Sequence, residues 1–184
     1  MPSIFSIFYL TRRSLAILGM TTLLLTSAAC NPTWNWRESR SSDAPVSVLL
    51  PAKPSSHART VDLNGLEVTM NMTATEINGA NFALGSAAIA DPAKREQALQ
   101  AMQTAMVRNI NGTVRREQQV RLEGGVVATE IEAVGRIGKS DEPIVLAARF
   151  ANSGQWVVQA IVVGPQKNVP REVIDTFLGS LVLR

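Results

Sequence analysis

The chain has 184 residues, of which 46% are hydrophobic and 18% charged, and its formal net charge is +3. Arg12 and Arg13 supply two of these positive charges, so the rest is nearly neutral and offers no electrostatic case for nucleic-acid binding. Its one cysteine and one histidine exclude an internal disulfide framework, a cysteine-based zinc site and a histidine-rich zinc site. We therefore expect one medium-sized domain with no metal and no cofactor.

Residues 11–30, TRRSLAILGMTTLLLTSAAC, are the first stretch with a clear pattern. Two arginines precede an apolar run over residues 14–25, and small residues then lead to Cys30. The run is shorter than the roughly 20 apolar residues that span a bilayer. A positive, then apolar, then small-residue order is typical of a cleaved export signal. The sequence therefore predicts a signal peptide over residues 1–29.

The segment Ser27-Ala28-Ala29-Cys30 resembles the lipobox of bacterial lipoproteins, although that family usually has leucine at the position of Ser27. The resemblance implies that Cys30 is acylated on its sulfur, becomes the new N-terminus and is acylated again on its amine. Acylation would also protect a lone thiol that could otherwise be oxidised. Plain secretion and an uncleaved anchor are the alternatives.

Residues 11–15 also resemble a twin-arginine export motif, so the general secretory route and the twin-arginine route both remain open. Asn31 follows the cysteine. The lipoprotein resemblance implies that the absence of aspartate there favours the outer membrane over the inner one. We expect an exported protein that is held on a membrane by lipid and faces the periplasm.

Residues 30–45 are polar and contain two prolines, which predicts a flexible tether between the lipid and the domain. Trp34 and Trp36 are exceptions within this segment. Their indoles could lie among the lipid headgroups or pack on the domain, and both interpretations remain open.

Residues 46–184 are predicted to form a single α+β domain. Alternating apolar residues, or short apolar runs, that end at Asn-Gly or Gly-rich turns indicate strands. These strands are predicted at residues 46–50, 60–63, 66–73, 82–89, 113–122, 127–133, 144–150 and 155–163. Polar residues interrupt the apolar face of 113–122, which indicates an edge or exposed strand. Asp91 and Pro92 predict the start of a helix that ends near residue 110, and a second helix is predicted near 170–180.

The strand at 155–163 is apolar on both sides, so we expect it to be covered on both sides. A helix on each face of a mainly antiparallel sheet would cover it. Val46–Pro51 and Val173–Leu181 resemble the opening and closing segments of the PsbP-like α/β/α sandwich. Photosystem II extrinsic proteins, a Ran-binding nuclear-import factor and many bacterial envelope proteins share that fold. The resemblance implies an architecture but no functional residue.

Few residues suggest chemistry. His57 lies in a Pro/Ser-rich stretch, where a solvated loop is expected, and no Gly-x-Ser-x-Gly motif is present. Met70 and Met72 alternate as core residues do, rather than as a soft-metal site. Glu130 and Glu132 point to one side of a predicted strand. We expect them on a charged surface, although paired carboxylates can also do acid–base work.

The densest basic stretch contains Arg108, Arg115, Arg116 and Arg121. A solvated strand face is the first interpretation, and a patch for anionic lipid or another polyanion is the second.

We find no catalytic constellation, which favours a non-catalytic binding or structural module with an unknown envelope partner. One alternative is an envelope hydrolase that uses Glu130, Glu132 or Asp175 with raised pKa values. The other is a carrier that encloses an apolar ligand.

Overall fold

The computed structural model of the chain describes residues 33–138 and 140–184. The predicted signal peptide over 1–29 and the predicted lipid attachment at Cys30 lie outside the described residues. A compact unit spans Trp34–Arg184. Within the described ranges, no helix combines the length and the apolar character needed to cross a membrane.

The described residues form two antiparallel sheets and two helices, which confirms an α+β fold. The strands of the smaller sheet, in spatial order, are β1 (Arg37–Arg40), β2 (Val46–Leu50) and β10 (Val182–Leu183). The larger sheet has the order β3-β4-β5-β9-β8-β7-β6. Its strands are β3 (Ser55–Asp62), β4 (Glu67–Ile77), β5 (Ala80–Ala88), β6 (Thr113–Arg121), β7 (Val127–Gly135), β8 (Ile144–Ser153) and β9 (Trp156–Pro165). The helices are α1 (Pro92–Asn109) and α2 (Arg171–Gly179).

Local sequence accounts for the ends of several elements. Asn64 and Asn78 adopt left-handed backbone angles, and each is followed by a glycine with positive φ, as a two-residue hairpin turn requires. Asp91 begins α1 by accepting a hydrogen bond from the backbone N–H of Ala93 at 2.9 Å. The helix ends before Asn111, whose φ of 46° does not continue it.

Two clusters of buried side chains form the core. The α2 cluster joins α2 and the smaller sheet to residues of the larger sheet that include Phe82 and Ala147. The α1 cluster joins α1 to a different set that includes Leu146 and Phe150. Neighbouring residues of one strand therefore belong to different clusters.

The ordered part of the chain begins before residue 46. β1 pairs with β2, and the half-buried indoles of Trp34 and Trp36 pack against the α2 cluster. Their ring centroids are 6.3 Å apart, and the Trp34 ring meets the Phe82 ring edge-on at 6.0 Å. The structure thus differs from the flexible tether expected over 30–45, because indole burial and strand pairing hold residues 34–40 on the domain.

Strand β3 also begins earlier than expected. It starts at Ser55, so His57 lies on a strand opposite Met72 rather than in a loop, and its side chain is exposed. Because β3 is an edge strand with almost every side chain exposed, no apolar alternation marks its first half.

Candidate functional site

Glu130 of β7 does not face solvent. It is only 5% exposed, while Glu132 is half-buried. The strand register places Glu130 between Gln118 of β6 and Arg149 of β8. The expectation of a charged surface is therefore wrong for Glu130, because neighbouring side chains and α2 close over this side of the strand.

Three side chains donate hydrogen bonds to the Glu130 carboxylate. Arg149 Nε lies 2.7 Å from Oε2, Gln118 Nε2 lies 2.9 Å from Oε1, and Arg116 Nη2 lies 3.0 Å from Oε1. Both oxygens of the carboxylate are thus engaged, as burial of a charge requires.

Glu132 connects the strands to α2. Arg171 Nη1 donates to its Oε1 at 2.6 Å, and Arg116 donates to the same oxygen. Burial raises the pKa of Glu132, but the hydrogen bonds and charges of Arg171 and Arg116 together lower that pKa below its ordinary value. The hydrogen bond to Glu132 also raises the pKa of Arg171, whose Nε pairs with Asp175 at 3.0 Å.

These six charged residues form what we call the ion network: Arg116, Glu130, Glu132, Arg149, Arg171 and Asp175. Its three positive and three negative charges balance. Arg149 Nη1 also donates to the backbone carbonyl of Leu178 at 2.6 Å, which fixes α2 on the strands. A general acid needs a raised pKa, whereas the pKa of Glu132 is lowered, so the geometry suits attachment of the helix rather than proton transfer.

The other side chains of β6 and β7 border a groove beside α1. One part has a volume of about 430 Å³, and the next has about 400 Å³. Gln103 borders both parts, so we treat them as one feature, the α1–β7 groove. The first part is lined by residues that include Gln103, Val107, Arg108, Val114, Glu117 and Ile131. The second part is lined by residues that include Leu99, Gln103, Gln119, Val126, Val127 and Thr129.

Two valines of this groove are unusually open. Val114 is 41% exposed, and Val127 is 50% exposed. Val114 lies opposite Ala133 in the strand register, six residues along β7 from Val127, so the valines lie about 20 Å apart. Val114 lies on β6 and Val127 on the adjacent β7. β6 is an edge strand, so one side of its backbone has no neighbouring strand among the described residues.

Of the remaining residues singled out in the sequence, Arg108 borders the groove, and the others lie apart from it or are ordinary core. Met70 is buried in the α1 cluster and Met72 packs against it, as expected. Arg116 belongs to the ion network, whereas Arg115 is exposed, so the basic stretch is divided. Among the described residues, no three histidine, cysteine or acidic side chains come together to hold a metal ion.

Sequence reasoning missed Val114 and Val127 as site residues. The one available signal was the prediction of 113–122 as an edge or exposed strand. The exposure of the valines depends on where α1 lies, and no local pattern gives that position.

Comparison with known proteins supports the architecture. No protein-family model and no curated protein match the sequence. The solution structure of cyanobacterial PsbP (CyanoP) from Synechocystis sp. PCC 6803 is similar over 88% of this chain and 99% of that one, with a TM-score of 0.51 and 12% identity. A Pseudomonas aeruginosa protein of unknown function is similar over 74% of this chain and 88% of its own, with a TM-score of 0.39 and 9% identity. The likeness to CyanoP shows that this chain has a PsbP-like fold, and at this identity it shows the fold alone.

Proposed function

We propose that this chain is a lipid-anchored, non-catalytic binding module of the bacterial cell envelope that holds an extended segment of a partner protein in the α1–β7 groove. The observation that carries the binding role is the pair of exposed valines at a sheet edge that has no further strand within residues 33–138 and 140–184. The anchoring role is supported by the lipobox-like segment Ser27-Ala28-Ala29-Cys30.

We also infer that α1 and α2 lie on opposite faces of the larger sheet, as in an α/β/α sandwich. Along β8, Val145 and Ala147 belong to the α2 cluster, whereas Leu146 and Ala148 belong to the α1 cluster. Because successive side chains of a strand point to opposite faces, this alternation supports the three-layer arrangement.

The dimensions of the groove favour an extended peptide. A strand of six or seven residues is about 20 Å long, which matches the separation of the valines. Such a peptide can pair with the free edge of β6 while its alternate side chains enter the groove. Gln119 and Thr129, which are hydrogen-bonded to each other at 3.0 Å, supply polar groups between the apolar ends.

Two observations weigh against the other functions. A hydrolase that uses Glu132 as its acid would need a raised pKa, but hydrogen bonds from two arginines lower it. A carrier of an apolar ligand would need an enclosed apolar cavity, whereas the α1–β7 groove has polar side chains along it.

Site-specific photo-crosslinking in intact cells tests the binding role. A photoreactive benzophenone residue at Val114 or Val127 should give one crosslinked product of the same mass, and the same residue at exposed Ala58 on β3 should not. Adding Thr129→Arg should fill the groove and abolish the crosslink from Val114. Equal crosslinking at all three positions, or no effect of the arginine, would contradict the proposal.

Membrane fractionation tests the anchor. Cys30→Ser should move the protein from the membrane fraction to the soluble fraction or leave the precursor uncleaved. The control Ser27→Leu, which supplies the residue usual in lipoproteins, should stay in the membrane fraction, with the outer membrane expected. A Cys30→Ser protein that fractionates and migrates like wild type would refute lipid attachment.

A further inference from the structure

We infer that one end of the domain, formed by residues 136–138 and 166–168 and the Asn78-Gly79 turn, lies against the lipid headgroups. We call it the proximal end. The inference rests on the lipid anchor proposed above, and it adds the surface of the domain that meets the membrane.

The first step is the length of chain between the anchor and the domain. Trp34 follows Cys30 by four residues, which can span at most about 14 Å when fully extended. Trp34 is itself held in place, because its ring packs on Phe82, and the next residue, Asn35, donates a backbone hydrogen bond to Pro51 at 2.8 Å. Acylated Cys30 would therefore keep this part of the domain close to the bilayer.

The second step locates Trp34 along the strands. Its neighbour Phe82 lies opposite Val162 of β9, which lies opposite Ala147 of β8. Ala147 in turn lies opposite Glu132, three residues before β7 ends at Gly135. Trp34 is thus near the end of the sheet where β7 leads into residues 136–138.

The third step is the neighbourhood of that end. The hairpin turn at Asn78 lies there, and its carbonyl accepts a hydrogen bond from Asn168 Nδ2 at 2.8 Å. The β8–β9 turn at Gly154-Gln155 lies at the opposite end of β8, about 30 Å away. The two ends of the sheet can therefore be compared as possible membrane-facing surfaces.

The proximal end has side chains that suit a lipid surface. Ile137 is 52% exposed and follows exposed Arg136, while exposed Lys167 pairs with Glu142 at 2.7 Å. An apolar side chain beside a cationic one suits the boundary between acyl chains and phosphate headgroups. The opposite end also has such a pair, because exposed Val127 lies opposite exposed Arg121 there. The length of chain between Cys30 and Trp34 therefore decides between the two ends, in favour of the proximal one.

Fluorescence quenching in the lipidated full-length protein tests the inference. The single thiols of Ile137→Cys and Ser153→Cys can each be labelled with a nitrobenzoxadiazole dye, because acylation blocks Cys30. The labelled proteins are placed in phosphatidylethanolamine–phosphatidylglycerol vesicles that contain a lipid quencher near the headgroups. We expect at least twofold stronger quenching at position 137 than at position 153. Equal quenching, or stronger quenching at 153, would overturn the inference.

Flotation of the same vesicles separates the two possible failures. Proteins that float but show no difference between the two dyes would refute the orientation and leave the lipid anchor intact. Proteins that fail to float and retain a free Cys30 thiol would refute the anchor and, with it, the orientation. Circular dichroism should match wild type for both variants, since Ile137 is exposed and Ser153, at the end of β8, is only half-buried.

Discussion

Strands β6 and β7 present two very different surfaces. In one set of side chains, the buried charge of Glu130 meets Arg116 and Arg149, and Glu132 meets Arg171 of α2. In the other set, which borders the α1–β7 groove, Val114 and Val127 are open.

The contrast separates structural residues from residues available to a partner. In the ion network the charges already have protein partners, so binding a ligand there would require breaking paired and partly desolvated groups. The valines carry no charge that would have to be separated from a partner, and removing their apolar surface from water would be favourable. The charged residues of the ion network therefore stabilise the fold, whereas Val114 and Val127 are open to another molecule.

Removal of the central carboxylate should have the largest effect on stability. Glu130→Ala leaves Arg149 without its buried partner and is expected to lower the free energy of unfolding by about 3–5 kcal/mol. Urea titration followed by circular dichroism measures the change. Glu117→Ala, which removes an exposed carboxylate from the neighbouring strand, should cost less than about 0.5 kcal/mol. Similar urea midpoints for the two variants would contradict the distinction between the ion network and the α1–β7 groove.

Gly135→Ala should disturb the place where the end of α1 approaches β7. An added Cβ would lie 2.0 Å from the backbone oxygen of Ile110, which cannot move aside as a side chain can. We expect a loss of about 1–3 kcal/mol in the free energy of unfolding, measured by urea titration. The control Gly179→Ala meets no atom within 4 Å and should stay within about 0.5 kcal/mol of wild type. A neutral Gly135→Ala would show that α1 is not held against β7 here.

The ion network should also give stability a dependence on pH. The lowered pKa of folded Glu132 means that its contribution is present above the unfolded pKa of about 4.3 and is lost as pH falls through the folded pKa. Glu132→Gln should cost about 1 kcal/mol or less at pH 7, because Arg171 is half exposed. The variant should lose less stability than wild type between neutral and acidic pH. Parallel profiles in urea titrations at several pH values would contradict this assignment.

The smallest change in stability is expected from the groove. The double variant Val114→Ser, Val127→Ser alters exposed side chains, so each substitution should change the free energy of unfolding by less than about 0.5 kcal/mol. The same variant, with a benzophenone residue at Thr129, should lose crosslinking to its partner relative to the parent with benzophenone at Thr129. Strong destabilisation, or unchanged crosslinking, would remove the distinction between the two surfaces.

Most elements could be predicted because their signals are local. The Asn-Gly turns, the Asp91 cap and the alternation in β4 depend on neighbours in sequence, and the structure confirms them. The order of strands in the larger sheet depends on distant pairing, and the sequence did not predict it.

The misplaced residues share one physical cause, which is contact with distant parts of the chain. Trp34 is ordered by Phe82, and Glu130 is buried by Arg149 and the nearby helix α2. From sequence alone, the polar segment 30–45 and the charged face of β7 are both predicted to be solvated, because their distant contacts are not visible in the local pattern. The groove valines show the converse, since a strand pattern predicts burial only where another element covers it.

The pairing of β1 with β2 also bears on how the domain would carry a mechanical load. Their backbone hydrogen bonds run across the strands, over the register from Arg37–Leu50 to Arg40–Ser47. The chain enters β1 at its Arg37 end, so tension from an anchored Cys30 would reach the packed Trp34 ring and the Asn35–Pro51 hydrogen bond before it reached β1. Where that tension acts along the strand axis, the four paired positions would resist together in shear, instead of opening one after another. The pairing would then add to the resistance that a partner meets when it pulls the domain away from the membrane.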